Sequence, residues 1–587
     1  MALTESQRHE IETKARAYVA AERHPVFRDE VEAALTAGDW DDLFDRFYTQ
    51  LAFGTAGMRG VIGGGTNRIN PFMVRKVSQG LAEYLVANSA DPSVTIAYDS
   101  RHYSAEFAKQ AALVLCANGV HVRLFDTLHP VPMLSFALRY LHATAGIVVT
   151  ASHNPSKYNG YKVYWSDGGQ VTPPHDVGIA ALANAVEGDG IKDISEEKAR
   201  KSGLLDTVPP EVDEAYYAMV LGSLRRPGLV KGSPITVAYT PLHGSGNVPV
   251  RHMLEQVGIR CCVVAEQEQP DGAFPTVKLP NPESAEAMRK VIALAKEVKA
   301  DIVLGTDPDA DRLGIAIPAS PEKTDYLLLT GNQIAALLCD YLLATWKELA
   351  QGKDDIPSCY GKGAGRKTPL CVKSLVTTDL VKRIAEADGA VCKDVLTGFK
   401  YIAEQIASLE GPAGDERFFL FGCEESYGYL TVPAVRDKDA VSSAMCAVEM
   451  MCWYASRGVT LQQRLNQIYD TYGYSTEVVF SRDYEGAAGK ARMDAIMANF
   501  RTKRAGDVLV NLTVESVQDL KGGDCGDFPS ADVIIIRFTS GEKLVVRPSG
   551  TEPKIKYYLF LTAAGDGGRT ALEASLDDIV SRFKAAF

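Results

Sequence analysis

A serine set just beyond an apolar run is the first place where this sequence could do chemistry. The segment Ala145-Gly-Ile-Val-Val-Thr-Ala-Ser-His-Asn-Pro-Ser-Lys-Tyr-Asn-Gly-Tyr-Lys162 predicts a buried strand, Ile147 to Thr150, that exits into a polar loop presenting Ser152. Asn154-Pro155 and Asn159-Gly160 are turn dipeptides, so the chain must bend on both sides of the residues between them. Ser152, with His153 beside it and Lys162 ten residues on, suits a nucleophile that carries a group; the same residues also suit a strand exit where Ser and Asn only cap. The second place is Gly305-Thr-Asp-Pro-Asp-Ala-Asp-Arg312, where Asp307, Asp309 and Asp311 alternate after a predicted strand, Asp301 to Leu304. Carboxylates at this density repel one another unless a cation lies between them, and hard oxygen ligands suit Mg²⁺. The apolar run Leu313 to Ile317 puts the loop between two buried strands, which argues against a merely solvated acidic turn. An EF-hand is excluded, because it needs a longer loop and a closing Glu. Such a site leaves a coordination position for a phosphate oxygen, which a phosphorylated Ser152 could supply. Arg312 either holds that phosphate or makes an outward salt bridge.

Weaker signals lie elsewhere. Phe53-Gly-Thr-Ala-Gly-Met-Arg-Gly60 is a glycine-rich loop carrying Arg59, and Asp99-Ser-Arg101 offers Arg101 as a phosphate-side residue or an ordinary loop arginine. In Phe421-Gly-Cys-Glu-Glu-Ser-Tyr-Gly428, Glu424 and Ser426 are two apart after a predicted strand. Both can then point the same way, a carboxylate and a hydroxyl suited to vicinal sugar hydroxyls, though any polar hairpin looks similar. Arg547-Pro-Ser-Gly-Thr-Glu-Pro553 combines a guanidinium fork (Arg547), hydroxyls (Ser549, Thr551) and turn N–H groups around Gly550, an anion nest or a plain Pro-Gly turn. Gly361-Lys-Gly-Ala-Gly-Arg-Lys-Thr368 imitates a P-loop, but Arg366 stands where a Gly is required and a strand follows, so it reads as a surface loop.

These residues must be positioned by elements that the sequence also outlines. The first 45 or so residues read as one or two surface helices. Strand and helix then alternate from Val94 to Thr150, restart near residue 210 and again after residue 326, which argues for βαβ units. From about residue 470, strand-like runs (Val508 to Val514, Asp532 to Phe538, Lys543 to Val546, Ile555 to Leu561) cluster between two helices, an α+β pattern. The expected fold is α/β: three successive α/β domains and a smaller C-terminal α+β domain, divided as 1–210, 211–322, 323–458 and 459–587. With 587 residues, several cores are expected. A net charge of −12 argues against a nucleic-acid face, so positive charge for an anionic ligand must be concentrated locally. No run reaches transmembrane length, and eleven cysteines without paired spacing fit reduced thiols, so a soluble cytoplasmic protein with no membrane partner is expected.

Thr150-Ala-Ser-His-Asn-Pro155 resembles the phosphoserine signature of the α-D-phosphohexomutases, the phosphoglucomutase/phosphomannomutase family. The serine, aspartate, Glu-x-Ser and Arg-Pro-Ser-Gly-Thr loops follow in the family's order, over roughly residues 45 to 587. The N-terminal extension, the loop with Arg59 and Thr397-Gly-Phe-Lys400 resemble the phosphoglucomutase/phosphopentomutase-type branch, which also includes glucose-1,6-bisphosphate synthases. The resemblance implies mixed-sheet domains around a central cleft, Mg²⁺ on Ser152, Asp307, Asp309 and Asp311, and phosphoserine at Ser152. It implies an isomerase that interconverts glucose 1-phosphate and glucose 6-phosphate through glucose 1,6-bisphosphate, which also activates. Arg59 would face the phosphoserine, Lys400, Glu424 and Ser426 the sugar, and Arg312, Arg547, Ser549, Gly550 and Thr551 the phosphates. His153 and Lys162 are the candidate bases; a lysine base needs its pKa lowered by neighbouring cations. Phosphomannomutase, phosphopentomutase and bisphosphate synthase remain open, as do monomer and dimer; a phosphatase would need an activated water, and a silent binding protein would have lost a site residue.

Overall fold

The computed structural model describes residues 3–54, 57–484, 486–522, 525–549, 554–563 and 565–586. Three helices, Glu5–Ala21, Pro25–Ala37 and Trp40–Phe47, come first, one more than the sequence patterning suggested. They close on one another through Ile11, Tyr18, Val31, Leu43 and Phe47, and Phe27 carries the packing into the first sheet's core.

The first sheet contains β1 (Gly57–Val61), β2 (Ser93–Tyr98), β3 (His121–Leu124), β4 (Ala145–Val149), β5 (Tyr158–Trp165) and β6 (Leu205–Thr207), in the order β1-β5-β4-β2-β3-β6. β2, β3, β4 and β6 run parallel, whereas β5 is antiparallel to β4 and β1 antiparallel to β5. β4 is buried at every residue because both its faces are covered. Ile147 and Val149 meet the helices Pro71–Asn88 and Ser104–Ala117, and Val148 meets Val131–Tyr140. The region around Asn159-Gly160, read as a turn from sequence, is therefore strand. Gly160 fits because a Cβ there would lie 2.5 Å from the Thr150 carbonyl oxygen. The glycine-rich loop likewise ends in a strand, with Arg59 opposite Gly160.

The second sheet, β7 (Thr236–Thr240), β8 (Arg260–Val263), β9 (Ile302–Thr306), β10 (Leu313–Pro318) and β11 (Tyr326–Leu328), has the order β11-β10-β9-β7-β8. The third, β12 (Thr368–Ser374), β13 (Val391–Val395), β14 (Arg417–Glu424) and β15 (Gly428–Leu430), runs β13-β12-β14-β15. Each repeats the plan of the first: parallel strands, then one antiparallel return, β9 to β10 and β14 to β15. The two share a core through the helices Gly331–Leu349 and Ala440–Ser456. The fourth sheet is antiparallel throughout: β16 (Tyr474–Asp483), β17 (Val508–Leu509), β18 (Leu512–Asp519), β19 (Ile534–Phe538), β20 (Lys543–Pro548) and β21 (Lys554–Ala563), ordered β16-β21-β20-β19-β18-β17. One face packs beneath Met497, Phe500 and Phe583 of the helices Gly486–Thr502 and Gly565–Ala586. The other sets Val545, Tyr558 and Phe560 against Leu375, Val376 and Leu396 of the third unit.

The fold is thus α/β with mixed sheets and an antiparallel C-terminal unit, and the four singled-out loops occupy equivalent places. Ser152 lies between β4 and β5, the aspartates between β9 and β10, Glu425 to Tyr427 between β14 and β15, and Ser549 between β20 and β21. In the first three units each loop lies where a parallel strand ends and the chain turns back, the usual place for a ligand in such sheets. Among the described residues no helix is long and apolar enough to cross a membrane.

Candidate active site

Ser152 has a left-handed backbone, φ 51°, costly for a residue with a Cβ and maintained only where the surroundings impose it. Its N–H donates to Thr150 Oγ1 (2.8 Å), and its carbonyl accepts from Arg101 Nη2 (2.5 Å). So held, Ser152 Oγ donates to Asp307 Oδ2 at 2.8 Å, across the boundary between the first and second units. His153 Nδ1 is 3.3 Å from the same hydroxyl. Burial pushes the imidazole well below its ordinary pKa, and Arg312 and Arg59 push it further, so a neutral ring sits beside the serine. Arg59 Nη1 donates to Asn154 Oδ1 at 3.4 Å in the same loop.

The aspartate loop is buried and held by its neighbours on both sides. The Asp309 carbonyl accepts from Val131 N–H of the first unit (3.0 Å), and the Ala310 carbonyl from Ala440 N–H of the third (3.2 Å). Asp307, Asp309 and Asp311 are each at most 2% exposed, and each offers an oxygen within 4.8 Å of the others. Burial and the charges of Asp309 and Asp311 raise the Asp307 carboxyl well above its usual range. Lys162 Nζ lies 3.0 Å from Asp309 and 3.7 Å from Asp311, and Lys438 Nζ 3.1 Å from Asp311. Asp309 Oδ1 and Asp311 Oδ1 are buried without a hydrogen-bond partner among the described residues. Three hard carboxylates, two bare acceptor oxygens and a carboxyl driven toward protonation fit a divalent cation.

The cations around the triad are not those a lysine base requires. Burial opposes the charge on Lys162, yet Asp309 and Asp311 outweigh it and hold the group above its ordinary value, so Lys162 neutralises charge here. Arg312 is ion-paired to Glu283 with its Nε 3.9 Å from Asp307 and 3.8 Å from Asp311, turned inward rather than out to solvent. Arg101 is no phosphate ligand: Nη1 donates to the Pro155 and Tyr158 carbonyls (2.9 and 3.0 Å) and Nη2 to those of Ser152 and Asn154.

Glu424 ends β14, and its Oε1 accepts from Gly398 N–H at 2.8 Å. Ser426 lies in the turn, so strand alternation does not govern how the two residues relate. Lys400, just beyond Gly398, sets its ammonium 3.8 Å from Asp176, beside a cavity of about 270 Å³ lined by Trp165, Gln170 and His175. Arg547 pairs with Lys556 across the last hairpin, and Ser549 N–H donates to the Lys554 carbonyl (2.8 Å). Gly550 and Thr551 lie outside the described residues. Burial raises the Tyr558 hydroxyl; Glu425 and Glu424 add to the rise and Arg547 opposes it, so the hairpin of the fourth unit and the Glu-x-Ser loop of the third flank one ring.

Sequence reasoning missed Lys438. It lies in Asp437-Lys-Asp439, and its ammonium links Asp311 to Asp437 (3.0 Å), while Asp437 also accepts from Tyr164 (2.8 Å) on β5. The only sequence signal was a run of four charged residues, Arg436 to Asp439, directly before an apolar helix. Glu425 was also missed. It accepts from Ser374 Oγ at 3.1 Å, and burial together with Glu424 pushes its carboxyl up to about 7.

Known proteins resemble this chain at every level. Residues 50–188, 214–320 and 330–472 match, in turn, alpha/beta/alpha domains I, II and III of phosphoglucomutase/phosphomannomutase. A phosphoglucomutase of Staphylococcus epidermidis is 37% identical over 525 residues, 88% of this chain and 91% of the relative. That of Staphylococcus aureus is 37% identical over 531 residues, 88% and 90% of the two chains. Among solved structures, the open form of the Paramecium exocytosis-sensitive phosphoprotein parafusin, a phosphoglucomutase, superposes with a TM-score of 0.65 at 16% identity, covering 91% of this chain and 96% of that one. A phosphoglucomutase/phosphomannomutase family protein of Burkholderia thailandensis gives 0.64 at 18% identity, covering 92% and 98%; at these identities the likeness is one of fold.

Proposed function

Because the chain belongs to the phosphoglucomutase/phosphomannomutase family, we propose that it is an intramolecular phosphotransferase interconverting glucose 1-phosphate and glucose 6-phosphate. The observation that carries this reading is the 2.8 Å hydrogen bond from Ser152 Oγ to Asp307, inside an acidic triad bracketed by Lys162 and Lys438. A hydroxyl there can carry a phosphoryl group, with cations on either side to balance its charge.

Phosphorylated Ser152 donates its phosphoryl group to the free hydroxyl of the sugar monophosphate: the new sugar O–P bond forms as the Ser152 Oγ–P bond breaks. The proton of the attacking hydroxyl goes to a neighbouring base, for which neutral His153 is better poised than charged Lys162. Asp307, Asp309, Asp311 and the phosphoserine would hold Mg²⁺, which would supply Lewis-acid stabilisation of the transferring group. Lys162, Lys438, Arg312 and Arg59 hold its remaining charge. Glucose 1,6-bisphosphate then reorients, and a Ser152 Oγ–P bond forms to the other phosphorus as that sugar O–P bond breaks, the base returning its proton to the freed sugar oxygen. Glu424 and Ser426 bind hydroxyls in both orientations, with Lys400 at the edge, and Arg547, Ser549, Gly550 and Thr551 hold the idle phosphate. Added glucose 1,6-bisphosphate activates by phosphorylating Ser152. Eleven cysteines, none in a disulfide, support a cytoplasmic setting.

A coupled assay for glucose 6-phosphate from glucose 1-phosphate tests this, with mannose 1-phosphate and ribose 1-phosphate as comparisons. Ser152→Ala is expected to abolish turnover with the fold intact, and EDTA to abolish it until Mg²⁺ is restored. Turnover by Ser152→Ala, or preference for another sugar phosphate, would overturn the assignment.

A further inference from the structure

Ser152 and the aspartate loop belong to different units, and a hydrogen bond between them survives only if something behind both fixes their spacing. The Asp99–Arg101 pair fixes the serine at both of its peptide groups. Asp99 Oδ2 accepts from Thr150 Oγ1 (2.6 Å), which in turn accepts the Ser152 N–H, while Arg101 takes the Ser152 carbonyl. All four Nη protons of Arg101 go to carbonyls of this loop, and the guanidinium is buried. Its face rests on the Phe274 ring of the second unit, 4.9 Å from the centroid.

Phe274 belongs to the structure that supports the aspartate loop. Its backbone is left-handed (φ 49°), and its ring packs on Leu242 in a buried cluster, with His243 alongside at 6.5 Å. Next to them, Gly244 is so close to Pro308 that a Cβ would come within 2.4 Å of its Cα, and both the N–H and the hydroxyl of Ser245 donate to the Pro308 carbonyl at 2.8 Å. Pro308 sits between Asp307 and Asp309. Gly272 closes the arrangement, since a Cβ there would lie 2.4 Å from the His102 nitrogen. One support therefore touches the serine loop at Arg101 and the aspartate loop at Pro308.

From this arrangement we infer that Phe274, stacked under Arg101, is a positioning residue that sets the Ser152–Asp307 spacing across the boundary between the two units. The inference rests on the proposed phosphoryl transfer only for its kinetic consequence. A merely structural ring could be replaced by any apolar side chain of similar volume, whereas a cation-bearing platform needs an aromatic face.

Phe274→Leu and Phe274→Tyr separate the two roles. Phe274→Leu is expected to lower kcat about tenfold with KM within about twofold of wild type, as displacement of a reacting group does. Its crystal structure should show Ser152 Oγ moved out of hydrogen-bond reach of Asp307. Phe274→Tyr should restore both the rate and the spacing, and Phe274→Met replaces Leu should that variant not fold. Native kcat and spacing in Phe274→Leu, equal losses in Leu and Tyr, or a KM that rises as kcat falls would each overturn the proposal. If the wild type converts no sugar phosphate, the functional reading fails, and the spacing in the Phe274→Leu crystal still decides this one.

Discussion

Glu425 is a carboxyl that water would keep ionised and that this site drives toward protonation. Burial and its neighbour Glu424 push it up to about 7, and Ser374 Oγ at 3.1 Å relieves only part of the cost. A folded pKa above the unfolded value means that the folded state binds more protons between about 4.5 and about 7. The group's contribution to stability is then fully present below about 4.5 and lost as pH rises through about 7. Glu425→Gln, permanently neutral, is expected to be more stable than wild type at pH 8, by on the order of 2 kcal/mol, and to converge with it near pH 5. Thermal melts at the two pH values check this; an equal gap at both would assign the effect to packing. Ser152 and the three aspartates were legible because their types and spacing announce their chemistry. Glu425 and Lys438 were not, because a half-buried carboxyl or a buried ammonium is defined by what surrounds it.

Among the elements, the hairpin returns do the positioning, and two glycines show how tightly. At Gly160 on β5, a Cβ would lie 2.5 Å from the Thr150 carbonyl and 3.0 Å from that of Met58, so Ala must separate β5 from β1 and the exit of β4. Gly160→Ala is expected to cost about 3 kcal/mol, read by chemical denaturation. At Gly244 the obstacle is the Pro308 backbone at 2.4 Å, so Gly244→Ala acts on the aspartate loop. It should weaken Mn²⁺ binding, measured calorimetrically, by at least about tenfold, the scale on which altered support around metal ligands is felt. Helices and central strands such as β2 and β4 were readable from periodicity. β1, β5 and β16 were not, because their glycines and polar residues become strand only through pairing with a partner already in place.

Taken whole, the molecule brings the serine, aspartate and Glu-x-Ser loops of three units together, and the interface between the third and fourth units decides where Arg547 sits. There Asp379 lies 3.0 Å from Lys373 and 2.7 Å from Lys543, and Lys543 Nζ stacks 3.9 Å from the Phe560 ring. Burial, with Lys373 nearby, lowers Lys543 to about 8. Removing the shared anion leaves Lys373 with Asp394 at 2.6 Å but strands the buried Lys543, so Asp379→Asn is expected to destabilise by about 3 kcal/mol. Lys543→Met keeps the stem's packing and leaves Asp379 paired with Lys373, so it is expected to be neutral or stabilising by about 1 kcal/mol. Calorimetry on both variants tests the contrast, and a large loss in Lys543→Met would contradict it.

By itself the sequence determined which residues could carry a phosphoryl group and bind a cation, and that three α/β units precede a smaller α+β one. Those properties reside in residue type, short spacing and hydrophobic period, all of which survive in one dimension. Only the tertiary structure decided that Arg101 serves the serine loop rather than a phosphate, that Lys162 pairs with the aspartates, and that Lys438 completes the ring around them. Each of those depends on an electrostatic neighbour far along the chain: Ser152 for Arg101, Asp309 for Lys162, Asp311 for Lys438. Charge interactions fall off with distance through space, and that distance is set by packing rather than by sequence.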